Sequence, residues 1–197
     1  MAKVKKERTA LIVVDMQKDV LEQRGRVAFY GIWRHAEQQQ TVANTKKAIE
    51  KARKAGIPIV YLQIFTRPEF LPDVGPARSL KESGAFRRGT EGAQIVEELK
   101  PQPHDYVVEK HKANGFYNSE LQDVLNGLKC NTLVFAGVAT NFCVEATVRG
   151  ASDRRYRIVV LSDCVATMSE EMQEFALKVM FPMFGEVTTT DELEITP

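Results

Sequence analysis

Three residues of reactive type, Asp15, Lys110 and Cys143, occur at points where the sequence predicts that strands end or helices begin. Asp15 comes directly after the apolar run 10–14, Lys110 lies just past the run 106–108, and Cys143 stands at the predicted start of a helix. Each residue alone has an ordinary explanation, as a helix cap, a solvated charge or a packing residue. Together they supply a base, a cation and a thiol, which is the set of groups that nucleophilic catalysis needs.

The chemistry that these groups favour is attack of the Cys143 thiol on a carbonyl carbon. A free thiol has a pKa of about 8.5 and is mostly protonated at neutral pH. A helix N-terminus and the nearby Lys110 both favour the thiolate, and Asp15 can take the proton as the thiol attacks. The turn 137–143 leads from a strand into a helix, so its backbone N–H groups are expected to point at the space above the thiol, as an oxyanion hole requires. The sequence therefore predicts a thiol hydrolase.

Six apolar runs alternate with helical patterns along the chain. Several of these runs are unbroken, which indicates strands covered on both faces, as in a parallel sheet between two layers of helices. Ligands of such a sheet bind beyond the carboxyl ends of its strands, and the three reactive residues are expected at that edge. The pattern predicts one α/β domain over residues 1–197, with three layers (α/β/α) and about six mainly parallel strands. The predicted strands are residues 10–14, 57–64, 106–108, 132–136, 157–161 and 186–190.

The predicted helices fill the gaps between these strands. The last of them opens at Ser169, whose side chain is the expected N-cap. The stretch 66–92 breaks the alternation; it is rich in Pro, Gly and Arg, and its length predicts a functional loop or lid. The other predicted helices cover residues 35–55, 93–99, 118–125 and 142–152.

Composition and charge narrow the range of partners. The chain has 27 Lys and Arg against 26 Asp and Glu, a net charge of +1, and offers no overall field for nucleic acid or for an anionic membrane. Its start carries no apolar stretch of the kind found in secretory signals, and no apolar run approaches the roughly 18 residues of a membrane helix. Three cysteines form an odd set without CxxC spacing, which favours a reducing, cytoplasmic location. The predicted partner is a small molecule.

Three motifs surround the reactive residues. They are LIVVDMQ at residues 11–17, VVEK at residues 107–110 with Gly115 and Phe116 downstream, and GVATNFCVEAT at residues 137–147. In this order and spacing they resemble the isochorismatase-like cysteine hydrolase superfamily, and the similarity runs from about Thr9 to Phe184. One such motif alone is weak, whereas three in register are specific.

The resemblance implies a Rossmann-like isochorismatase fold and a catalytic triad of Asp15, Lys110 and Cys143. It also implies a cis peptide bond between Val138 and Ala139, and an oxyanion hole formed by the N–H groups of Ala139 and Cys143. In the implied reaction Asp15 deprotonates the thiol, which forms a thioester with loss of ammonia or an amine. Water then hydrolyses the thioester, and no cofactor takes part.

Details of the motifs distinguish branches of this superfamily. Nicotinamidases resemble the chain in the triad but carry a metal site with an Asp-x-His pattern, whereas the matching region 62–68 holds no His; no metal is therefore predicted. Isochorismatases that cleave a vinyl ether do not require the thiol, so Cys143 indicates an amidase. The stretches 88–93 and 140–145 resemble the ureide branch, which holds the biuret, triuret, ureidoacrylate and N-carbamoylsarcosine hydrolases. A biuret- or triuret-like substrate is favoured among these.

Six residues are candidates for binding the substrate. Gln and Asn side chains can donate to a urea oxygen and accept from a urea N–H, and an Arg can receive a substrate carboxylate. A core position explains the aromatic candidate equally well. The chain departs from many members of the superfamily at Asn114, where they have Ser, and at Val20, where they have an aromatic residue. The candidates are Val20, Gln63, Arg67, Asn114, Phe116 and Asn141.

Two other functions stay open at this point. A nicotinamidase-type or other small-amide hydrolase is one alternative. A non-catalytic binding protein on the same fold is the other, although loss of a triad residue would be its mark and none is lost. The last helix and its end are unusually rich in large apolar side chains, which predicts a homo-oligomer, either a dimer or a tetramer. These side chains are Met172, Phe175, Met180, Phe181, Met183 and Phe184.

Overall fold

Parallel strands form the central sheet of the structure, a computed structural model that describes residues 2–67 and 75–197, without the side chains of residues 75–77. The strands of this described part are β1 (Lys3–Lys5), β2 (Thr9–Val14), β3 (Ile59–Ile64), β4 (Tyr106–Lys110), β5 (Thr132–Val138), β6 (Arg157–Ala166), β7 (Glu186–Thr188) and β8 (Glu194–Thr196). Six of them lie side by side in the order β4-β3-β2-β5-β6-β7, and every neighbouring pair is parallel. The other two, β1 and β8, pair with each other in parallel.

Helices cover both faces of the central sheet. The described α-helices are α1 (Lys18–Leu21), α2 (Ile32–Gln38), α3 (Thr41–Ala55), α4 (Gly75–Ser83), α5 (Leu121–Gly127), α6 (Glu145–Asp153) and α7 (Glu170–Phe175). Within these described ranges no helix has the length and apolar character needed to span a bilayer.

Two apolar clusters, one on each face, hold the layers together. Alternate side chains of a strand point to opposite faces, and in β2 the residues Leu11 and Val13 join one cluster while Ile12 and Val14 join the other. The first cluster includes side chains of α2 and α3, and the second includes side chains of α5, α6 and the segment after α7. The predicted three-layer α/β/α architecture with six parallel strands is confirmed.

The strand predictions differ from the structure mainly at the ends. All six predicted runs overlap strands of the central sheet, but residues 57–58 and 189–190 lie outside β3 and β7, and β6 extends beyond the predicted run to Ala166. The small β1–β8 sheet was not predicted, because its strands are three residues long and carry no apolar pattern. The Arg157 guanidinium donates to Lys3 O at 2.6 Å, which ties this small sheet to the start of β6.

Two predicted helices differ from the structure. The stretch 35–55 contains two helices, because Gln40 has a φ of 53° and a left-handed residue cannot continue a right-handed helix. The stretch 93–99 contains no α-helix; it carries two short 3₁₀ turns, Glu91–Ala93 and Glu97–Leu99. At the last helix the predicted cap is confirmed, since Ser169 Oγ accepts a hydrogen bond from the Met172 N–H at 3.4 Å.

The stretch 66–92 contains a helix that was not predicted, α4. The prediction of a lid in this stretch falls partly on residues 68–74, which lie outside the described residues. The described part returns toward the sheet after α4, where Thr66 N–H donates to Phe86 O at 3.0 Å.

Candidate active site

The ends of three strands bring the three reactive residues together. Strand β2 lies next to β5, one strand (β3) separates β2 from β4, and the carboxyl ends of these parallel strands meet at one edge of the sheet. Lys110 ends β4, Asp15 follows β2, and Cys143 follows β5 in the turn that leads to α6. Lys110 Nζ lies 2.8 Å from Asp15 Oδ2, and the Cys143 thiol interacts with both residues. A base, a cation and a thiol therefore share one buried site.

Burial isolates this ion pair from water. The Lys110 side chain is fully buried, and 5% of the Asp15 side chain is exposed. Lys110 Nζ also donates to Lys112 O at 3.0 Å. Interactions with Lys110, with the Cys143 thiol and with the Ile64 backbone all favour the ionised form of Asp15 and so oppose the effect of its burial. An ionised Asp15 beside the thiol can accept a proton.

Asp15 adopts a backbone conformation that is uncommon for its residue type. Its φ is 50°, in the left-handed region. The backbone on both sides is fixed, because the Asp15 N–H donates to Leu62 O at 2.9 Å and the Gln17 N–H donates to Asp15 O at 2.7 Å. Such strained residues persist where the surrounding structure holds them, often at functional sites.

The protonation of the three groups follows from burial and from mutual charge. Burial raises the pKa of the Asp15 carboxyl above 3.8, and the charge of Lys110 opposes that rise. Burial works against the charged form of Lys110, but the charges of Asp15 and Cys143 outweigh it and raise its pKa above 10.5. Burial also raises the pKa of the Cys143 thiol well above its usual 9.0. The sequence-based expectation of a favoured thiolate is therefore wrong for the resting site, in which Cys143 is a thiol and Lys110 an ammonium.

The turn that carries Cys143 is a π-helical segment, Thr140–Val144, and not the start of an ordinary α-helix. It follows a cis peptide bond between Val138 and Ala139. The N–H groups of Phe142 and Val144 both donate to Ala139 O, at 3.0 and 3.2 Å. Side chains from other elements fix the turn further, since Thr140 Oγ1 donates to Gln173 Oε1 at 2.6 Å and Thr147 Oγ1 donates to Cys143 O at 2.7 Å.

Gly137 permits the close approach of β5 to β2 just before this turn. Its φ is 126°, a value that side-chain-bearing residues rarely adopt. A Cβ atom at this position would lie 2.1 Å from Val14 O, on the residue before Asp15. Glycine therefore allows the strands that carry the base and the thiol to lie next to each other.

A cavity of about 100 Å³ adjoins the thiol. Asp15, Ala139 and Cys143 line one part of it, so the proposed base, the nucleophile and both residues of the predicted oxyanion hole border the same space. The rest of the lining is largely apolar and comes from segments 20–32 and 80–86, from the ends of β3 and β5, and from Phe142 and Met168.

The structure places one of the six predicted substrate-binding residues, Val20, in the lining of this cavity. Phe116 lies in the apolar cluster between the sheet and α5 and α6, stacked on Tyr156 at 6.0 Å between ring centroids, so its core explanation holds. Asn114 Oδ1 accepts from the Phe116 N–H at 2.9 Å and packs against Gly150.

The other three predicted substrate-binding residues also lie outside the lining. Gln63 Nε2 donates to Ala93 O at 2.7 Å and supports the neighbouring turn. Arg67 is exposed, and its charge acts on Glu109. Asn141 lies beside the cavity residue Phe142, but its Oδ1 accepts a hydrogen bond from Thr167 Oγ1. Their amide and guanidinium groups indicated binding, whereas the structure uses the amides of Gln63 and Asn141 to connect loops.

Two supporting residues, Gln17 at the end of the first motif and Asp19 just after it, were missed by sequence reasoning. The Gln17 amide is fully buried and joins β3 to the turn at Ala93, donating to Ile64 O at 3.0 Å and to Ala93 O at 2.8 Å. The buried Asp19 carboxylate accepts from the Phe86 N–H at 2.6 Å and thereby ties the segment after α4 to α1. The signal available in the sequence was the row of polar residues 17–19 that follows Met16.

A metal site needs several His, Cys, Asp or Glu side chains close together. Among residues 2–67 and 75–197 no three His, Cys, Asp or Glu side chains come together in a group that could hold one. The expectation of a metal-independent site stays a prediction.

The family model of the isochorismatase domain matches residues 9–192 of the chain. This chain belongs to the isochorismatase family. Among the curated relatives of this isochorismatase-family protein is ureidoacrylate amidohydrolase RutB of Pseudomonas syringae pv. syringae, 34% identical, with 96% of this chain and 84% of the relative covered. RutB of Agrobacterium fabrum is 31% identical, with 96% and 90% covered.

Solved structures agree with the family assignment. A cysteine hydrolase from Pseudomonas syringae pv. phaseolicola has a TM-score of 0.84 and 31% identity, with 96% of this chain and 92% of that chain covered. N-carbamoylsarcosine amidase from Thermoplasma acidophilum has a TM-score of 0.77 and 30% identity, with 95% and 99% covered. The resemblance inferred from the three motifs is confirmed. This isochorismatase-family protein is an amidohydrolase, an enzyme that acts on C–N bonds of linear amides.

Proposed function

We propose that this isochorismatase-family protein hydrolyses a small carbamoyl or ureide compound by thiol catalysis at Cys143 and releases ammonia. The observation that carries the proposal is the buried ion pair of Asp15 and Lys110 beside the Cys143 thiol, at one part of a small cavity. Relatives named for ureidoacrylate and a structural neighbour named for N-carbamoylsarcosine support a carbamoyl group as the reacting unit.

The first half of the reaction forms a covalent intermediate. Asp15 accepts the proton of the Cys143 thiol as Sγ forms a bond to the carbonyl carbon, and the electron pair of the C=O bond moves to the oxygen. Because burial raises the pKa of the Cys143 thiol and favours its protonated form at rest, a base is needed to remove this proton. Lys110 holds its positive charge beside both acidic groups and stabilises the negative charge that passes between them.

Different groups of the site act on the oxyanion and on the leaving nitrogen. The N–H groups of Ala139 and Cys143 are proposed to donate to the oxyanion, which gains most when such donors are fixed before the reaction. As the tetrahedral species collapses, the C–N bond breaks and Asp15 returns the proton to the leaving nitrogen, which departs as ammonia. A thioester remains on Cys143.

The second half of the reaction restores the enzyme. Asp15 accepts a proton from a water molecule as the water oxygen bonds to the thioester carbon. The C–S bond then breaks, the sulfur takes up the proton from Asp15, and the acid product leaves. The chain's own residues account for each proton transfer, so the proposal involves no cofactor and no metal.

The substrate within the ureide class was predicted from sequence to be biuret- or triuret-like, and that preference stays a prediction. A second candidate is a neutral aryl amide of the nicotinamide type, which the apolar part of the cavity lining favours. A cytoplasmic location and a small molecule as the partner, with neither nucleic acid nor membrane, also remain part of the proposal.

Ammonia release by wild type, Cys143→Ala and Cys130→Ala tests the proposal. Cys130 is a matched control, because it is a cysteine outside the cavity lining. The substrates are biuret, triuret, ureidoacrylate, N-carbamoylsarcosine and nicotinamide. We expect turnover of at least one ureide, a loss of at least about a thousandfold in Cys143→Ala, and little change in Cys130→Ala. Full activity of Cys143→Ala would overturn the thiol mechanism, and turnover of nicotinamide alone would replace the ureide class.

A further inference from the structure

The lining of the cavity beside Cys143 defines the kind of group that the reacting carbonyl carries. We propose that this group is uncharged and apolar, so that the preferred substrates are alkyl-substituted ureas or primary amides and not ureides that bear a carboxylate. The inference rests on the proposed function and deepens it. It differs from the sequence-based prediction of a biuret- or triuret-like substrate, and the test below distinguishes the two.

Apart from the proposed catalytic groups, the cavity is lined mainly by buried aliphatic and aromatic side chains. Val20, Val27, Ile32 and Phe86 all line it, and each is at most 6% exposed. Leu80 of α4 adds a partly buried side chain. These residues come from separate segments that converge on one small space. A surface of this kind is favourable for a group that needs no hydrogen bonds.

The charges at the cavity disfavour a substrate carboxylate. Among the described lining residues Asp15 is the one charged side chain, and it is negative and paired with Lys110. A carboxylate placed here would lose its hydration shell without gaining a cation, and it would be repelled by Asp15. Two basic side chains of neighbouring segments have partners outside the cavity lining, since Arg26 donates to Ser83 O at 3.1 Å and Arg88 pairs with Glu109.

The same lining offers few partners to biuret or triuret. These compounds present N–H and C=O groups along their whole length, and each group that enters a dry site without a hydrogen-bond partner weakens binding. The amides that were expected to supply partners lie outside the described lining and are held by other residues, since Gln63 donates to Ala93 O and Asn141 accepts from Thr167. Among the described lining residues beyond the catalytic groups, the Tyr30 hydroxyl is the remaining polar side chain.

The reaction proceeds on such a substrate without further reagents. With an alkylurea, Sγ of Cys143 bonds to the carbonyl carbon, the C–NH₂ bond breaks, and ammonia leaves with a proton from Asp15. The enzyme then carries the alkylcarbamoyl group on sulfur. Water adds its oxygen to that carbon, the C–S bond breaks, and the alkylcarbamic acid is released while the thiol is restored.

A matched pair of substrates tests this inference in the wild-type enzyme. The compounds 3-methylbutylurea and 3-ureidopropionate have the same number of non-hydrogen atoms and the same branching, but the first ends in two methyl groups and the second in a carboxylate. We expect kcat/KM to be at least about tenfold higher for 3-methylbutylurea, since burial of an apolar group gives discrimination of this order. A higher kcat/KM for 3-ureidopropionate, or for biuret over 3-methylbutylurea, would overturn the inference while leaving thiol hydrolysis intact.

Variants that place a cation in the cavity provide a second readout. Leu80→Arg introduces a guanidinium at the lining, and Val107→Arg introduces the same group at an exposed position of β4 outside it. The ratio of kcat/KM for 3-ureidopropionate over 3-methylbutylurea should rise at least about tenfold in Leu80→Arg. It should not change in Val107→Arg. An unchanged ratio in a folded Leu80→Arg would contradict the inference; if that variant fails to fold, the wild-type ratio still decides. Absence of Cys143-dependent ammonia release from every compound would overturn the proposed function together with the inference.

Discussion

The protonation of single residues sets how the site can work. Asp15 and Cys143 are both buried acids, and burial raises the pKa of each. Lys110 stabilises a negative charge on either of them but does not reverse that effect. The site therefore holds one proton on sulfur at rest and needs an ionised Asp15 to remove it. With a base and a fixed cation beside it, the thiol can lose its proton during the reaction and does not need to be a thiolate at rest.

The acid limb of the pH profile should report Asp15. As pH falls through the raised pKa of its carboxyl, the base becomes protonated and kcat/KM should fall about tenfold per pH unit. The midpoint is expected above 3.8, the ordinary value from which burial raises this pKa. Measurement of kcat/KM against pH for a neutral substrate checks the direction of the shift.

Removal of the cation provides the control for that profile. In Lys110→Met the charge that lowers the pKa of Asp15 is lost, so the acid limb of the remaining activity should move to higher pH. An acid limb at or below 3.8 in the wild type, or a limb that moves downward in Lys110→Met, would contradict this assignment.

The sequence allowed the catalytic residues to be predicted but not the binding residues. Asp15 and Lys110 could be placed because they stand at the ends of apolar strands, where parallel sheets bind ligands. The cavity residues Val27, Ile32 and Phe86 are ordinary apolar side chains, and only the three-dimensional convergence of their segments distinguishes them from core residues. Gln63 was predicted from its polar side chain near a strand end; in the structure it lies outside the described cavity lining and donates to a backbone carbonyl.

At the scale of elements, the approach of β5 to β2 determines the geometry of the nucleophile. Gly137 lies where these strands meet, with Val14 O in the position that a Cβ would occupy. The π-helical turn that follows then directs Cys143 back toward Asp15. A small displacement of β5 would therefore change the distance between the thiol and its base.

Gly137→Ala should damage both stability and catalysis. A methyl group at 2.1 Å from Val14 O must displace one strand, and the φ of 126° is strained for alanine. We expect a loss of at least about 2 kcal/mol in the free energy of unfolding, measured by denaturant titration.

Gly127→Ala is the matched control for that variant. An added Cβ at Gly127 meets no atom within 4 Å, so this change should leave the free energy of unfolding unchanged or raise it by up to about 1 kcal/mol. Equal stability of the two variants would show that the packing of β5 on β2 is not as tight as described.

Strands and helices were predicted well where an apolar pattern extends over many residues. They were predicted poorly where a helix ends or changes its type. The six sheet strands have clear patterns. The break at Gln40 has no signal in the residue type, since Gln is an ordinary helix former. The π-helical segments 140–144 and 176–180 share the apolar spacing expected of α-helices, so periodicity alone cannot separate them.

At the scale of the whole molecule, an apolar face remains exposed along the last helical segment. Met172, Phe175, Val179 and Met183 are 43%, 62%, 52% and 76% exposed. They recur every three or four residues along the segment 172–183. Two of the residues singled out from sequence, Met180 and Phe181, are instead buried in the core. The homo-oligomer stays a prediction. The four exposed side chains support it, because large exposed apolar patches are typical of subunit contacts.

Phe175→Glu should weaken this proposed association. A buried carboxylate at an apolar contact has no partner to offset its desolvation, so the oligomer should dissociate at micromolar concentration. Tyr117→Glu is the control, since Tyr117 is equally exposed at 62% but lies far along the chain. Light scattering measures the mass. A wild-type protein that is a monodisperse monomer of 22.2 kDa would reject the proposal.

Nucleophilic catalysis by Cys143 is best tested by the intact mass of the enzyme quenched in acid during turnover, followed by peptide mapping. We expect an added acyl or carbamoyl mass on the peptide that contains Cys143. The adduct should be absent in Cys143→Ala and unaffected by Cys130→Ala. Steady turnover by an enzyme whose Cys143 stays unmodified, or by Cys143→Ala, would contradict nucleophilic catalysis by this thiol.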